Sequence, residues 1–454
     1  MSSPFTRRRL FGMAAAAAAA DRTSRVFGFA SRPRPLQTTV LEARVQFVPQ
    51  SFVRPLIISS GKITEITEAL AEVRVRVEGR EAVGRGSIYL SDLWAWPDPA
   101  FTHNQRDAVL RKLCREIADK LAVMCGAEAA HPLELGLRLH ESVCREKTPP
   151  VLARAVCLSP FDAAIHDAVG IALGRSAFSF YREPVPLPTA DRHFAGRDAC
   201  AAIARLIRRP KRALRAWYLV GKRDDMEKDV GPWIRDRGYK CFKIKIFGHD
   251  NAEDVARTVE VYREAKRLGV ATPQLSVDTN EANPDAESVH DYYRRLKAAD
   301  AEAFAALLFF EQPTGRDITI YRYQWHPIGA IKPVLLDEGL TSLELMHEAL
   351  AQGWTGFALK TCKGHSFALT AAAWAKEHQM TLSLQDLTNP GLSLIHAAWF
   401  AAHVATVNDV ELNSPQFTPA ANAHWLPRLK TLFAPTDGMH RLPDVPLVGL
   451  GSTM

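Results

Sequence analysis

The chain has 454 residues, of which 47% are hydrophobic and 24% charged, proportions typical of a globular protein with room for two domains. No apolar run approaches the roughly 20 residues that cross a bilayer, so no membrane span is expected. The formal net charge is +7, and the seven cysteines show no paired spacing. Such scattered cysteines indicate buried thiols and exclude a disulfide framework or a cysteine-based zinc site.

The first 20 residues have the character of an export signal. Arg7, Arg8 and Arg9 precede Leu10, and an alanine-rich stretch then runs to Ala20 without an acidic residue. Tandem arginines before a mildly apolar stretch resemble the twin-arginine signals of proteins exported in folded form. We therefore expect cleavage near residue 20 and a periplasmic location. The alternative is an alanine-rich tail on a cytoplasmic protein.

A second basic cluster spans residues 205–215 and contains five arginines and one lysine. No aromatic platform or nucleic-acid-binding motif accompanies it, so a solvated helix face is favoured over a nucleic-acid site. We expect no nucleic-acid partner.

Residues 21–37 are polar and rich in proline and arginine, which predicts a linker. Strand-like alternation follows to about Leu90, and helical periodicity then covers about 103–146 and 160–174. Strands followed by helices, rather than alternating with them, predict an α+β domain over residues 38–195.

From residue 214 onwards, candidate strands alternate with candidate helices. The predicted strands are 214–220, 241–247, 274–278, 306–311, 333–337, 356–360, 381–385 and 408–412. Eight strands joined by crossover helices predict a closed (β/α)8 barrel over residues 205–418, with an open doubly wound sheet as the alternative. The tail 419–454 is expected to pack back on the first domain.

Charged side chains end five successive candidate strands, at the edge where barrel enzymes keep their active sites. Lys243 and Lys245 lie two residues apart, so they share one face of their strand and point into the barrel. Burial and neighbouring positive charge predict lowered pKa values for these lysines. Lys360 ends a later strand and is expected to face Lys245 across the barrel mouth.

Three carboxylates, Asp278, Glu311 and Asp337, end the strands between these lysines. Their mutual repulsion at one barrel mouth would be severe without a cation. Carboxylate oxygens suit Mg²⁺, so the series predicts a magnesium site, with three unrelated ion-pairing acids as the alternative.

These motifs, in this order and spacing, resemble the enolase superfamily in its branch of muconate-lactonising enzymes and mandelate racemases. The matching motifs are Lys243-Ile244-Lys245, Val277-Asp278-Thr279-Asn280, Phe310-Glu311-Gln312-Pro313, Leu336-Asp337-Glu338 and Leu359-Lys360-Thr361-Cys362-Lys363-Gly364. The segment 159–167 resembles the last helix of the family's capping domain. The resemblance covers nearly everything after residue 40, and it implies a modified TIM barrel with an N-terminal α+β capping domain.

The resemblance also implies a mechanism. A substrate carboxylate binds one Mg²⁺ ion, or Mn²⁺ in its place, held by the three strand-end carboxylates. Lys245 and Lys360 form the acid/base pair, and Lys243 helps to neutralise the substrate carboxylate. Asn280 and Glu338 orient the metal ligands.

Substrate contacts are implied for Asp386 and Glu411, at the seventh and eighth strand ends. No histidine stands at the seventh strand end, which favours the lysine-pair type over the mandelate-racemase type. The eighth strand end shows Asp-x-Glu where dipeptide epimerases typically show Asp-x-Asp, so dipeptide epimerisation lacks support. Loops 47–62 and 88–98, with Trp94 and Trp96, either close over the site or pack between domains.

The expected function is therefore a racemase, epimerase or cycloisomerase that removes a proton α to a carboxylate and forms an enediolate. An acid-sugar dehydratase uses the same parts. A Schiff-base aldolase with Lys360 as its nucleophile and a non-catalytic binding relative are the alternatives of other classes. The partner expected is a small carboxylate, and because relatives often form homo-oligomers, a homo-oligomer is compatible with the resemblance.

Overall fold

The structure is a computed structural model that describes residues 36–196 and 198–454. The predicted export signal and all but the last two residues of the predicted linker lie outside the described residues. Residues Pro35–Met454 form one compact unit. The division into a capping domain over 38–195 and a barrel domain over 205–418 stays a prediction.

The chain first forms an antiparallel sheet of three strands in the order β1-β2-β3. The strands are β1 (Thr38–Ile58), β2 (Gly61–Val77) and β3 (Arg80–Tyr89). Val73, Val75 and Val77 are fully buried, whereas Arg74 and Arg76 between them are exposed. This alternation has the period of two that places one sheet face against a core.

Seven helices follow this sheet along the chain. They are α1 (Asp92–Ala95), α2 (His103–Met124), α3 (Pro132–Cys144), α4 (Val151–Leu173), α5 (Ala177–Phe180), α6 (Pro188–Asp191) and α7 (Ala199–Leu206). Of these, α2 and α4 are the ones that chiefly pack against the sheet. Helix α4 lies directly on β3, where a Cβ atom at Gly86 would stand 2.0 Å from the carbonyl oxygen of Pro160. Helix α4 is also long and apolar enough to cross a membrane, but 83% of its apolar window is buried inside the protein. It is therefore a core helix.

After the short strand β4 (Ala213–Arg215), seven parallel strands form a second sheet whose order follows the chain. They are β5 (Trp217–Val220), β6 (Cys241–Lys245), β7 (Gln274–Asp278), β8 (Leu307–Glu311), β9 (Val334–Leu336), β10 (Gly356–Lys360) and β11 (Thr381–Gln385). The helices between them are α8 (Gly231–Arg237), α9 (Asn251–Arg267), α10 (Ala286–Ala299), α11 (Ala301–Ala306), α12 (His326–Gly329), α13 (Glu344–Gln352) and α14 (His365–Glu377), and α15 (Gly391–His403) follows β11. Short helical turns occupy Met226–Val230 and Thr361–Lys363.

The predicted eighth strand, 408–412, is wrong, because this segment is irregular. It nevertheless closes the barrel. Asn408 exchanges hydrogen bonds with the backbone of Leu384 in β11, at 2.9 and 3.0 Å, and Glu411 N donates to Leu384 O at 3.0 Å. On the other side, Trp217 Nε1 in β5 donates to Asn408 O at 2.7 Å. Side-chain amides thus replace part of a strand ladder, and the predicted (β/α)8-type barrel is confirmed with seven regular strands.

Asp409 explains why this segment leaves the strand conformation. Its φ of +58° lies in the left-handed region, and its carboxylate accepts hydrogen bonds from Lys211 Nζ at 2.8 Å and from Arg215 Nε at 3.1 Å. Two members of the basic cluster are therefore tied to the barrel. In the Asp-x-Glu motif, Asp409 serves as an anchor and Glu411 faces the barrel mouth.

The C-terminal tail contains α16 (Ser414–Phe417), a helical turn (Pro419–Asn422), α17 (Leu426–Phe433) and β12 (Met439–Arg441). Strand β12 pairs antiparallel with β4. Near the end of the chain, Leu450 N donates to Asp167 Oδ1 in α4 at 2.8 Å. The tail therefore contacts both the start of the barrel and the core helix of the first domain.

A buried hydrogen-bond network joins α4 to the loop that follows β10. Asp162 of α4 accepts hydrogen bonds from Ser366 N and Ser366 Oγ, both at 2.8 Å, and lies 3.3 Å from His166 Nε2. Burial alone would raise the pKa of Asp162, but the hydrogen bond and charge of His166 outweigh it and hold the pKa below its ordinary value. The carboxylate thereby fixes the start of α14, directly after Lys360 and Lys363.

Replacing Asp162 with Asn should lower the free energy of unfolding by about 1–3 kcal/mol at pH 7, because charge-assisted hydrogen bonds in the core are weakened. The folded-state pKa is depressed, so the wild-type advantage is fully present above the ordinary value of 3.8 and is lost as the pH falls through the folded-state pKa. Urea denaturation at a series of pH values measures both effects.

The matched control is Asp444→Asn, whose side chain is 98% exposed and faces Arg212 at 3.4 Å. This exposed pair should contribute less than about 0.5 kcal/mol. Equal destabilisation by the two substitutions would contradict an anchoring role for Asp162.

Candidate active site

The carboxyl ends of the barrel strands gather charged side chains that are almost completely buried. Strand register sets Lys245 level with Asp278, and Asp278 level with Glu311. The lysines in this cluster are Lys243, Lys245, Lys360 and Lys363, and the acids are Asp278, Glu311, Asp337, Glu338, Asp386 and Glu411, none of them more than 6% exposed. Buried charges are costly unless they are paired, so each amine in the cluster is expected to contact a carboxylate.

Lys243 lies at the centre of the cluster. Its Nζ is 2.9 Å from Glu311 Oε1, 3.1 Å from Asp278 Oδ2 and 3.4 Å from Glu411 Oε2. It also donates to Gln385 Oε1 at 3.1 Å. Burial alone would lower the pKa of Lys243, but the surrounding carboxylates outweigh it and raise the pKa well above its ordinary value.

Lys245 projects from the same strand face as Lys243 and contacts the next strand. Its Nζ donates to Asp278 Oδ2 at 2.6 Å and to Asn280 Oδ1 at 2.8 Å. Asn280 in turn donates from its backbone N to Asp278 Oδ1 at 2.7 Å and from Nδ2 to Glu338 Oε1 at 3.1 Å. Asn280 therefore holds two acids and one lysine in place.

Lys360 enters the cluster from β10, with three strands between it and Lys245. Its Nζ is 3.2 Å from Asp337 Oδ2 and 3.8 Å from Glu311 Oε1. Burial alone would lower the pKa of Lys360, but the charge of Asp337 outweighs it and raises the pKa above the ordinary value. The expectation of a lowered pKa is therefore wrong for Lys243, because carboxylates surround its amine.

Lys363 is also a member of the cluster, although the motif that contains it, Leu359–Gly364, predicts no role for it. It is 1% exposed and donates to the backbone oxygen of Asp337 and, at 3.1 Å, to Asp337 Oδ1. Its placement depends on the single helical turn Thr361–Lys363, which follows β10 and turns the side chain back over β9. A lysine three residues after Lys360 is the only signal in the sequence for this placement.

The carboxylates respond unequally to this environment. Burial alone would raise the pKa of Asp278, but Lys245 and Lys243 outweigh it and hold the pKa well below its ordinary value. For Glu311, burial dominates and raises the pKa to about 8, in spite of Lys243. Gln385 Nε2 donates to Glu311 Oε2 at 2.6 Å, so this acid is held by an amide as well as by amines.

The donor set fits a hard divalent cation, although the present arrangement pairs it with amines. Asp337 Oδ2 and Glu338 Oε2 are buried and accept no hydrogen bond, and carboxylate oxygens are the ligands that Mg²⁺ prefers. Within 36–196 and 198–454, however, no three His, Cys, Asp or Glu side chains are grouped to hold a metal ion together. Ammonium groups stand between the three acids, so an ion held by all three requires the amines to shift.

Trp94 reaches the cluster from helix α1. Its Nε1 donates to Glu338 Oε1 at 2.8 Å, and its ring lies 5.6 Å from Lys360 Nζ. Trp96 instead packs on Phe101, with ring centroids 4.8 Å apart. The two tryptophans thus differ, with Trp94 at the site and Trp96 in the packing beside it.

Asp386 and Glu411 lie on the same cavity as the lysines. Asp386 accepts hydrogen bonds from the backbone N of Thr388 at 2.9 Å and of Asn413 at 2.8 Å. Burial, reinforced by the charge of Glu411, raises the pKa of Asp386 to about 7. All ten site residues predicted from the sequence are therefore brought together, while their catalytic and binding roles stay predictions.

Comparisons with known proteins identify the barrel. A family described as "Enolase C-terminal domain-like" matches residues 225–454, just over half of the chain. Among curated proteins, none matches this sequence significantly.

Solved structures share the whole fold. A muconate lactonizing enzyme from Pseudomonas fluorescens, complexed with muconolactone, is 19% identical with a TM-score of 0.61, over 91% of this chain and 96% of that chain. A dipeptide epimerase from Enterococcus faecalis, complexed with Mg and the dipeptide L-Leu-L-Tyr, is 14% identical with a TM-score of 0.61, over 91% and 99%. An enolase from Bradyrhizobium, complexed with magnesium and mandelic acid, is 17% identical with a TM-score of 0.61, over 91% and 95%.

Identities this low establish the shared fold and leave the substrate open. The family match and the fold agree with the strand-end motifs, which confirms the resemblance seen in the sequence. The chain therefore belongs to the enolase superfamily, in the group of mandelate racemases and muconate lactonizing enzymes.

Proposed function

We propose that this protein is a divalent-cation-dependent isomerase that removes and returns a proton α to a carboxylate. The observation that carries the proposal is the placement of Lys245 and Lys360. Lys245 is bonded to Asp278 at 2.6 Å and Lys360 faces Asp337 at 3.2 Å, with Glu311 on the strand between those acids. Amines on two sides of one carboxylate series suit proton exchange on either face of a bound carbon.

Asp278, Glu311 and Asp337 would hold the cation, which is Mg²⁺ or Mn²⁺. Two of the similar structures, the dipeptide epimerase and the Bradyrhizobium enolase, are complexed with magnesium, which supports this choice. When bound, the ion would supply positive charge that acidifies the α-proton and stabilises the resulting enediolate.

The chain's own side chains divide the remaining work. Lys245 and Lys360 exchange the proton, and Lys243, between Asp278 and Glu311, lies where it can neutralise a substrate carboxylate. Asn280 orients Asp278 through its backbone N, and Glu338 holds Asn280 by accepting a hydrogen bond from its Nδ2. Trp94 covers Lys360 and keeps water from that side of the site.

Racemisation, epimerisation and cycloisomerisation share this proton transfer. The similar structures include a dipeptide epimerase, an N-succinyl Arg/Lys racemase and muconate lactonizing enzymes, so isomerase chemistry is well represented among them. A dehydratase would start with the same step, and analysis of the product distinguishes these reactions.

Exchange of the α-proton tests the proposal. With Mg²⁺ in deuterated water, a panel of chiral carboxylic acids followed by NMR should include acids that gain deuterium at the α-carbon. Lys245→Met should slow α-proton exchange of one enantiomer and Lys360→Met that of the other, each by about 10²–10⁴-fold, because an acid/base group is lost.

Lys376→Met is the control, because Lys376 is exposed on α14 and is not a member of the charged cluster. It should exchange at the wild-type rate. Failure of every acid to exchange, or exchange that survives both lysine substitutions, would rule the proposal out.

Calorimetric titration with Mg²⁺ tests the cation site separately. Asp337→Asn should weaken binding at least about tenfold, because one carboxylate ligand is lost. Lys363→Met should strengthen binding, because the ammonium that competes for Asp337 is removed. Asp437→Asn, whose side chain is 83% exposed, should bind like the wild type. Unchanged affinity in Asp337→Asn would place the ion elsewhere.

We also propose that the leader directs export. The support is the arginine-rich, acid-free composition of residues 1–20. Intact-mass measurement of the protein from its native host should show the loss of about 20 N-terminal residues. A full-length chain recovered from the cytosol would contradict this.

A further inference from the structure

The cavity at the carboxyl ends of the strands has two unlike walls. One wall carries the buried lysines and carboxylates. The other is largely aliphatic: beside a few neutral polar side chains it carries Leu56, Ile58, Ile63, Ile66, Leu219 and Leu387. Four of these six side chains come from the hairpin that β1 and β2 form. A ligand whose carboxylate faces the charged wall therefore presents its distal part to the aliphatic one.

The hairpin is fixed in place over the site. Ser59 lies in the turn of the hairpin, and its Oγ donates to the backbone oxygen of Asn280 at 2.6 Å. Asn280 is two residues from Asp278. Ile58 is 6% exposed and faces the cavity, whereas the adjacent Ile57 is 46% exposed on the opposite side of the strand. This alternation follows the strand period and separates lining residues from surface residues.

The cavity offers no free cation for a second anionic group. Among the described residues that line it, the basic side chains are Lys243, Lys245 and Lys360, and each already lies within 3.2 Å of a carboxylate. Asp386 and Glu411 add negative charge on the same cavity. An anion at the distal end would be buried without a partner and beside like charges, which is strongly unfavourable.

The free space is small as well as apolar. The cavity measures about 50 Å³, and a water molecule needs about 10–15 Å³ of such space, so there is room for about three to five waters. This small space favours a short ligand. Large or branched polar substituents would require the hairpin to move.

We infer that the substrate is a short monocarboxylic acid with an aliphatic distal part and no second anionic group. This inference rests on the proposed function for its reaction, but it concerns what the site binds. It makes Ile58 a residue that determines specificity, because its side chain stands between the hairpin turn and the charged wall.

Binding of three acids in the presence of Mg²⁺ tests the inference: 4-methylpentanoate, glutarate and gluconate, measured by ligand-observed NMR titration. The wild type should bind 4-methylpentanoate at least about tenfold more tightly than the other two. Ile58→Lys should bind 4-methylpentanoate at least about tenfold more weakly and glutarate more tightly, because it replaces an apolar side chain at the distal end with an amine. Ile57→Lys should match the wild type.

Ile58→Thr serves as a second variant, and thermal melting checks the fold of each. If Ile58→Lys is unfolded, the test rests on Ile58→Thr. This variant should lose affinity for 4-methylpentanoate by about tenfold and keep the wild-type affinity for the other two acids. Tighter wild-type binding of glutarate or gluconate, no binding of any acid, or an unchanged preference in the decisive variant would overturn the inference. Turnover is not needed for this readout, so a failure of proton exchange would remove the proposed function and leave the binding result standing.

Discussion

Interleaving of buried amines and carboxylates is the constraint on which the barrel mouth depends. Lys243 contacts Asp278 and Glu311 within 3.1 Å, and Lys360 contacts Asp337. Removing one member of such a set would leave an uncompensated buried charge, which costs far more than the pair contributes. The acids that keep these amines protonated are also the acids that suit a divalent cation, so ion binding and the charge state of the lysines are linked.

The rest of the fold buries this charged cluster and fixes its position. From one side, the β1–β2 hairpin and Trp94 cover it, and the turn of the hairpin is bonded to Asn280. From another side, Asp162 of the core helix fixes the loop after β10. The N-terminal sheet and its helices therefore contribute a covering hairpin, an indole and an anchoring carboxylate to the site, and the barrel contributes the charges.

Much of this arrangement was predictable because short apolar runs that end in a charge are typical of parallel strands, and parallel strands align their ends. That reasoning placed Asp278, Glu311 and Asp337 at one edge. It failed for residues 408–412, where Asn408 side-chain bonds and the left-handed Asp409 replace a strand. Lys363 was missed because its position depends on one helical turn. The raised pKa of Lys243 was missed because it depends on distances that spacing along the chain does not contain.

Diffraction from crystals grown with Mn²⁺ tests most directly whether this cluster is a cation site. Anomalous scattering should place one ion in contact with an oxygen from each of Asp278, Glu311 and Asp337, at about 2.0–2.2 Å, with the amine of Lys243 displaced from between them. An ion bound elsewhere, or none at saturating Mn²⁺ with the amines still between the acids, would contradict the assignment.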